Sequence, residues 1–283
     1  ISMYGEPSLS RKKIDSAPKE KQKIISKKNY FLIKKEKEID KWIEEGEEFG
    51  ELAIDTETSS LDPHQAELIG VSLSTQIGKA CYIPIGHKSQ DCLNKEAVLK
   101  KLKPLLEDKS IKKIGQNIKF DFIVLYKHGI KMSSMEDTML MSYVLDAGKN
   151  RHNMDILSEI HLNHKTISFK ELVGSGKKEI NFSEVELDKA MEYAAEDADI
   201  TYRLYKIFSK NLKLEKLTNI YETFEKPLIK ILAFMEINGI QVDKKSLEKL
   251  SKKFEIKIKN LEKEIFKFSK KEFNIASPKQ LGE

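Results

Sequence analysis

Residues 51–85 read E-L-A-I-D-T-E-T-S-S-L-D-P-H-Q-A-E-L-I-G-V-S-L-S-T-Q-I-G-K-A-C-Y-I-P-I. Three short runs within it, at 51–56, 68–74 and 80–85, are rich in apolar and β-branched residues and are separated by turn-forming ones. Runs of that length and composition are strands, and links this short predict an antiparallel meander. Successive side chains of a strand alternate faces, so Asp55 and Glu57 project from the same side, about 7 Å apart along it.

Working outward, residues 96–106 carry Val98, Leu99, Leu102, Leu105 and Leu106 at helical spacing. Residues 111–115 (I-K-K-I-G) form another short strand that runs into a helix through 120–127, which Gly129 ends. Ser183 with Glu186 three residues on is a capping-box signature, placing a helix start just before Leu187 and its end near Leu212. Strands alternating with helices in this way predict an α/β domain over residues 29–212. The rest, 213–283, is helical. Leu228, Ile231, Leu232 and Met235 form one stripe that Gly239 stops. Leu247, Leu250, Phe254, Ile258, Leu261, Ile265 and Phe268 form a second on a long helix. Neither stripe can be buried by its own helix, so this part leans on the α/β domain or on further protein. Residues 1–28 are Lys/Ser-rich and aperiodic, which predicts a basic linker.

The 283 residues are 40% hydrophobic, enough for a substantial core, and 34% charged. Cys81 and Cys92 have no metal or redox spacing, which excludes a disulfide framework and points to unpaired thiols in a reducing compartment. No apolar run approaches the roughly 18 residues of a membrane span. The net charge of +5 is uneven: residues 1–35 carry 10 bases against 3 acids, 206–283 carry 18 against 11, and 36–205 carry 22 against 31. An acidic middle between basic flanks suits a domain that concentrates cations while its neighbours hold a polyanion. The chain opens on isoleucine and closes on S-P-K-Q-L-G-E, from which we expect an internal fragment of a longer protein.

Two further motifs join Asp55 and Glu57: G-Q-N-I-K-F-D at 115–121, ending in Asp121, and E-Y-A-A-E-D at 192–197, where Tyr193 and Asp197 stand at i and i+4 and share a helix face. Four carboxylates without a cysteine or histidine ligand favour Mg²⁺ or Mn²⁺ over zinc. Phosphodiester cleavage needs an activated water on one side and charge relief for a departing oxygen on the other, which two divalent cations about 3.5–4 Å apart supply. In that order the four acids and the tyrosine are the set a two-metal 3′→5′ exonuclease requires. Tyr193, with an ordinary pKa near 10, would align the attacking water rather than serve as principal base. The carboxylates repel one another without metal, so cation binding and local order should be coupled. Asp62, Glu67, Glu196 and Asp199 read as surface groups, and the six histidines as structural or surface residues.

D-T-E-T-S-S-L-D, G-Q-N-I-K-F-D and Y-A-A-E-D-A-D closely resemble the three exonuclease motifs of the proofreading domain in the bacterial DNA polymerase I (family A) group, within the DEDD superfamily. Tyr193 four before Asp197 indicates its tyrosine branch; the sister branch has histidine five before, where Glu192 stands here. The resemblance covers about residues 30–283: Y-V-L-D-A-G, R-H-N-M-D-I-L-S, K-T-I-S-F-K-E-L-V-G and F-E-K-P-L-I-K-I-L-A-F-M-E-I-N-G-I-Q-V-D are also similar to that family. It implies an RNase H-like (DnaQ-like) fold, a mixed central sheet flanked by helices, followed by a partial helical thumb of a contiguous polymerase domain. Asp55, Glu57, Asp121 and Asp197 would then be the metal ligands and Tyr193 the residue orienting water. Leu61 would wedge against the 3′-terminal bases and Phe169 would stack on one. Gln116, Asn117 and Arg151 would contact sugar or phosphate. Phe120 stands where some relatives carry tyrosine. A monomer acting on DNA, bacterial, cytoplasmic and nucleoid-associated, is the expectation, without polymerase activity in this stretch. An RNase D-like RNA exonuclease would share the motifs, but the stretch 224–243 separates the chain from it. A catalytically silent DNA-binding scaffold would have no need of all four carboxylates.

Overall fold

The computed structural model describes residues 29–88, 91–174, 176 and 179–282; the expected linker at 1–28 lies outside them. Contacts divide the chain into two units, one ending at Ile237 and one beginning at Asn238.

The first unit carries, in order, β1 (Tyr30–Leu32), α1 (Glu38–Phe49), β2 (Glu51–Thr58), β3 (Leu68–Gln76), β4 (Lys79–Pro84), α2 (Lys95–Glu107), β5 (Lys112–Gly115), α3 (Ile118–Lys127), β6 (Met135–Asp137), α4 (Thr138–Asp146), α5 (Met154–Leu162), α6 (Phe169–Val173) and α7 (Leu187–Leu214). The sheet runs β1-β4-β3-β2-β5-β6. Its centre is the expected meander, with β2–β3 and β3–β4 antiparallel. β1, β5 and β6 join by parallel pairing, which makes the sheet mixed.

The alternation along β2 decides which layer each side chain meets. Leu52 and Ile54 join Val71, Leu73, Cys81 and Ile83 in the core beneath α1, α2 and α3. Ala53 faces the other way, into the core built by α4, α5 and α7. On that second face Ala80 packs with Ala195 and Ala198, and small side chains let α7 lie close to the sheet. Gly70, opposite Glu57 in the β2–β3 register, makes room for a ring of the neighbouring strand: a Cβ there would stand 2.1 Å from the Tyr82 hydroxyl oxygen.

Two local readings are corrected. α7 does begin at Leu187, but Glu186 makes no capping hydrogen bond from its side chain. The capping box forms two residues earlier, between Asn181 and Glu184 on a 3₁₀ turn at Phe182–Glu184. After α7, α8 (Thr218–Ile220) passes through a π turn (Tyr221–Glu225) into α9 (Lys226–Asn238). The face of α9 that packs is Ile229 and Ala233, whereas Leu228, Ile231, Leu232 and Met235 are exposed. Phe234 meets the rings of Phe122 and Tyr126 edge-on, at 5.7 and 5.5 Å.

In the second unit α10 (Lys244–Ser269) is N-capped by Asp243, whose Oδ1 accepts the Ser246 amide at 3.1 Å, and α11 (Pro278–Gly282) follows. Every member of the stripe from Leu247 to Phe268 is exposed, and α10 has no buried residue. Among the described residues no helix is long and apolar enough to cross a membrane.

Candidate active site

Asp55 and Glu57 leave β2 on the face covered by α7, which carries Tyr193 and Asp197. One carboxylate oxygen each of Asp55, Glu57 and Asp197 lie within 4.8 Å of one another. Asp121, in the first turn of α3, lines the same cleft outside this trio and is held by Thr56. Thr56 points to the opposite face of β2, and its amide (2.9 Å) and hydroxyl (2.6 Å) both donate to Asp121 Oδ1. Strand parity thus sends two acids to one helix and a clamp for the third to another.

Burial is the first cause of every shift in the cluster. It takes Asp55 up to about 6. It pushes Glu57, Asp121 and Asp197 well above the usual carboxylate range, with repulsion from neighbouring acids adding to it. Burial and the same acids raise the Tyr193 hydroxyl above its ordinary value, and it hydrogen-bonds Asp197. Among the described residues no ion pair neutralises any of the four acids, and Glu57 Oε1 is buried without a hydrogen-bond partner. A buried acceptor with nothing to accept, inside an unneutralised group of hard oxygens, fits a divalent cation and little else.

These groups line a cleft of about 640 Å³ together with Leu61, Gln116, Asn117, Phe120, Phe169, Asn181 and Phe182. Leu61 is 95% exposed at its lip. Phe169 is half-exposed, parallel to Phe182 at 6.2 Å and edge-on to Tyr193 at 6.1 Å. Gln116 is fixed at both ends of its amide: Nε2 donates to the His152 carbonyl at 2.8 Å, and Oε1 accepts from Thr138. Asn117 caps α3 in a left-handed conformation (φ 59°), held by a bond of 3.1 Å from its amide to Asp137. Arg151 is exposed, adjacent in sequence to His152, and does not line the cleft.

Of the acids read as surface groups, Glu67 is exposed, but Glu196 and Asp199 are buried. Asp199 accepts from the Tyr30 hydroxyl (2.8 Å), the Gly78 amide (2.7 Å) and Arg203 (3.0 Å), which ties α7 to β1 and the β3–β4 turn. Glu196 accepts from Ile167 and meets His164. Thr56 was missed as well; the signal for it was its position between two acids on a strand, which aims it at the other layer.

The family model of the 3′-5′ exonuclease domain of DNA polymerase A matches residues 30–213. Similar curated proteins include DNA polymerase I of Rhizobium leguminosarum, 42% identical over 90% of this chain and 27% of its own length. DNA polymerase I of Pseudomonas aeruginosa is 38% identical over 92% of this chain and 29% of its own. The chain therefore spans just over a quarter of the length of these relatives. Among solved structures, the POL domain of Pol1 from M. smegmatis, in complex with DNA primer-template and dNTP, aligns with a TM-score of 0.72 at 20% identity, covering 89% of this chain and 40% of that one. Brucella melitensis NrnC with bound Mg²⁺ aligns at 0.52 and 28% identity, covering 68% and 89%. The fold is thus shared with both of these structures. The motif-bearing unit and the family match coincide over residues 30–213, and the chain belongs to the 3′-5′ exonuclease family of DNA polymerase A.

Proposed function

We propose that the first unit is a proofreading exonuclease that hydrolyses the 3′-terminal phosphodiester of a frayed DNA primer and releases nucleoside 5′-monophosphates. The longer protein would be a DNA-directed DNA polymerase. The observation that carries this reading is the trio Asp55, Glu57 and Asp197, with its orphaned Glu57 Oε1, facing Tyr193 in an open cleft.

Asp55, Glu57, Asp121 and Asp197 would hold two divalent cations, Mg²⁺ or Mn²⁺. When bound, these ions lower the pKa of the attacking water and relieve charge on the departing 3′-oxygen. The chain's own residues supply placement. Tyr193 keeps its proton at any physiological pH, because burial and the surrounding acids raise its pKa, so it orients the water through a hydrogen bond. Water oxygen bonds to phosphorus as the bond from phosphorus to O3′ breaks; the phosphate leaves on the released nucleotide, the water gives up a proton, and O3′ takes one up to become the new 3′-hydroxyl of the shortened strand. Leu61 separates the terminal bases, and Phe169 stacks on one of them in the sequence-tolerant manner of single-strand binders. Gln116 and Asn117, in the cleft wall, would hold sugar and phosphate, and Arg151, exposed outside the cleft, would meet phosphate beyond it. A mispaired end melts more readily and reaches the cleft more often, which makes the selectivity kinetic.

The test is degradation of a 5′-labelled single-stranded DNA with Mg²⁺ or Mn²⁺, beside an RNA strand of the same sequence and an Asp55→Ala/Glu57→Ala variant. The expected result is a ladder shortening from the DNA 3′ end, abolished by EDTA and slowed on the order of 1000-fold in the variant. Preference for the RNA strand would transfer the chain to the RNA-processing reading. DNA binding without any cleavage would leave a silent scaffold.

A further inference from the structure

We propose that Glu196 is a positioning residue that fixes the cleft wall carrying Phe169 to the helix carrying Tyr193 and Asp197. Its side chain is 1% exposed and reaches the segment just ahead of α6. One carboxylate oxygen accepts the Ile167 amide at 2.7 Å and the other meets His164 Nε2 at 3.0 Å. Two grips three residues apart hold 164–167 as one piece. That piece sets Ser168, which caps α6 with a complete capping box, and Phe169, the first residue of the helix. A second tie, from the Thr166 hydroxyl to Asp155 Oδ1 at 2.6 Å, anchors the same segment to α5.

Neighbouring residues on a helix point about 100° apart, so Glu196 can hold this wall while Asp197 joins Asp55 and Glu57. The spacing between the ring that receives a base and the groups that meet the scissile phosphate is thereby set through one rigid helix and a buried carboxylate. Charge-assisted bonds of this kind are among the stronger ones inside a protein, and losing one strands the half-buried Ile167 amide. The inference rests on the reading of Phe169 as a base-stacking residue.

The test uses the whole chain with Mg²⁺ and a single-stranded oligodeoxynucleotide bearing 2-aminopurine at its 3′ end, whose fluorescence is quenched on stacking. Glu196→Ala should raise KM about tenfold while kcat stays within about twofold. It should also weaken the quench and speed amide hydrogen exchange across 164–169. Glu196→Gln, which keeps an acceptor for Ile167, should restore most of the loss. Adding Glu196→Ala to Phe169→Ala should cost nothing further in KM. A fall in kcat with KM, quench and exchange unchanged overturns the proposal and assigns the effect to Asp197. Additive losses in the double variant overturn it too. If Phe169→Ala alone leaves KM and quench unchanged, the stacking reading fails, and exchange at 164–169 decides by itself whether Glu196 holds the segment. Should Glu196→Ala fail to fold, His164→Ala releases one end of the same tie. A KM shift in the same direction then supports the proposal, and none overturns it.

Discussion

Thr56 shows how much one side chain between two acids can do. Both of its donors reach Asp121 Oδ1, and Thr56→Val keeps the amide while deleting the hydroxyl. The expected cost is about 1 kcal/mol, or about 3 °C in Tm, together with roughly tenfold weaker Mn²⁺ binding by calorimetry. Unchanged metal affinity would reduce the hydroxyl to a structural role. Asp55 carries a pH prediction. Its carboxyl moves from an ordinary 3.8 up to about 6 on folding, so the native metal-free protein binds that proton more tightly than the unfolded chain does. The associated stability is complete below the unfolded value and is lost as pH rises through about 6. Asp55→Asn cannot ionise, and in EDTA near pH 7.5 it should melt roughly 6–9 °C above the wild type. The gap should close as pH falls below about 4. Mn²⁺ should reverse the order near pH 7.5, because only the carboxylate gains from the cation. A gap independent of pH would remove Asp55 as its source.

At the level of elements, legibility followed length and period. β2, α2, α3 and α7 could be read because each has enough residues for a pattern to repeat. β1 and β6 have three residues each, too few for any period, and their parallel pairing depends on partners far along the chain. The capping box went to the wrong pair because Asn181–Glu184 and Ser183–Glu186 have the same spacing, and only the tight 3₁₀ turn selects the first. Glu196 and Asp199 were misread because charge normally implies solvent, and their burial depends on donors supplied by distant elements. On α9 the apolar residues outnumber those one face can bury, so hydrophobicity alone could not choose between Leu228 and Ile229. The π turn ahead of α9 has a definite job. Tyr221 is buried there, its hydroxyl donating to Glu136 Oε2 at 3.0 Å and accepting the Asp137 amide at 2.9 Å. Tyr221→Phe strands the Asp137 amide and leaves the Glu136 carboxylate to Lys226 alone, and should cost about 1–3 kcal/mol, seen as a lower denaturant midpoint with unchanged kcat on single-stranded DNA. A loss of kcat in step with stability would instead couple this turn to the site.

On the scale of the molecule, the first unit completes its own core, with Ile229 and Ala233 of α9 inside it, whereas α10 leaves eight large apolar side chains in solvent. A chain ending at Asn238 should therefore keep its exonuclease kcat, melt within about 3 °C of the longer one, and bind less of the apolar dye ANS. A large fall in Tm would show that the first unit is not self-sufficient. The stretch removed, 239–283, carries 12 Lys against 7 acids, so the shortened chain should also show a weaker salt dependence of DNA binding. The two-faced strand at the centre has a consequence for descent. Inserting or deleting one residue ahead of Asp55 in β2 would rotate both acids into the apolar layer and Thr56 into their place, destroying site and core at one stroke. Lineages carrying this domain can exchange side chains along β2, but its length is frozen, and drift in chain length is left to the loops beyond its ends.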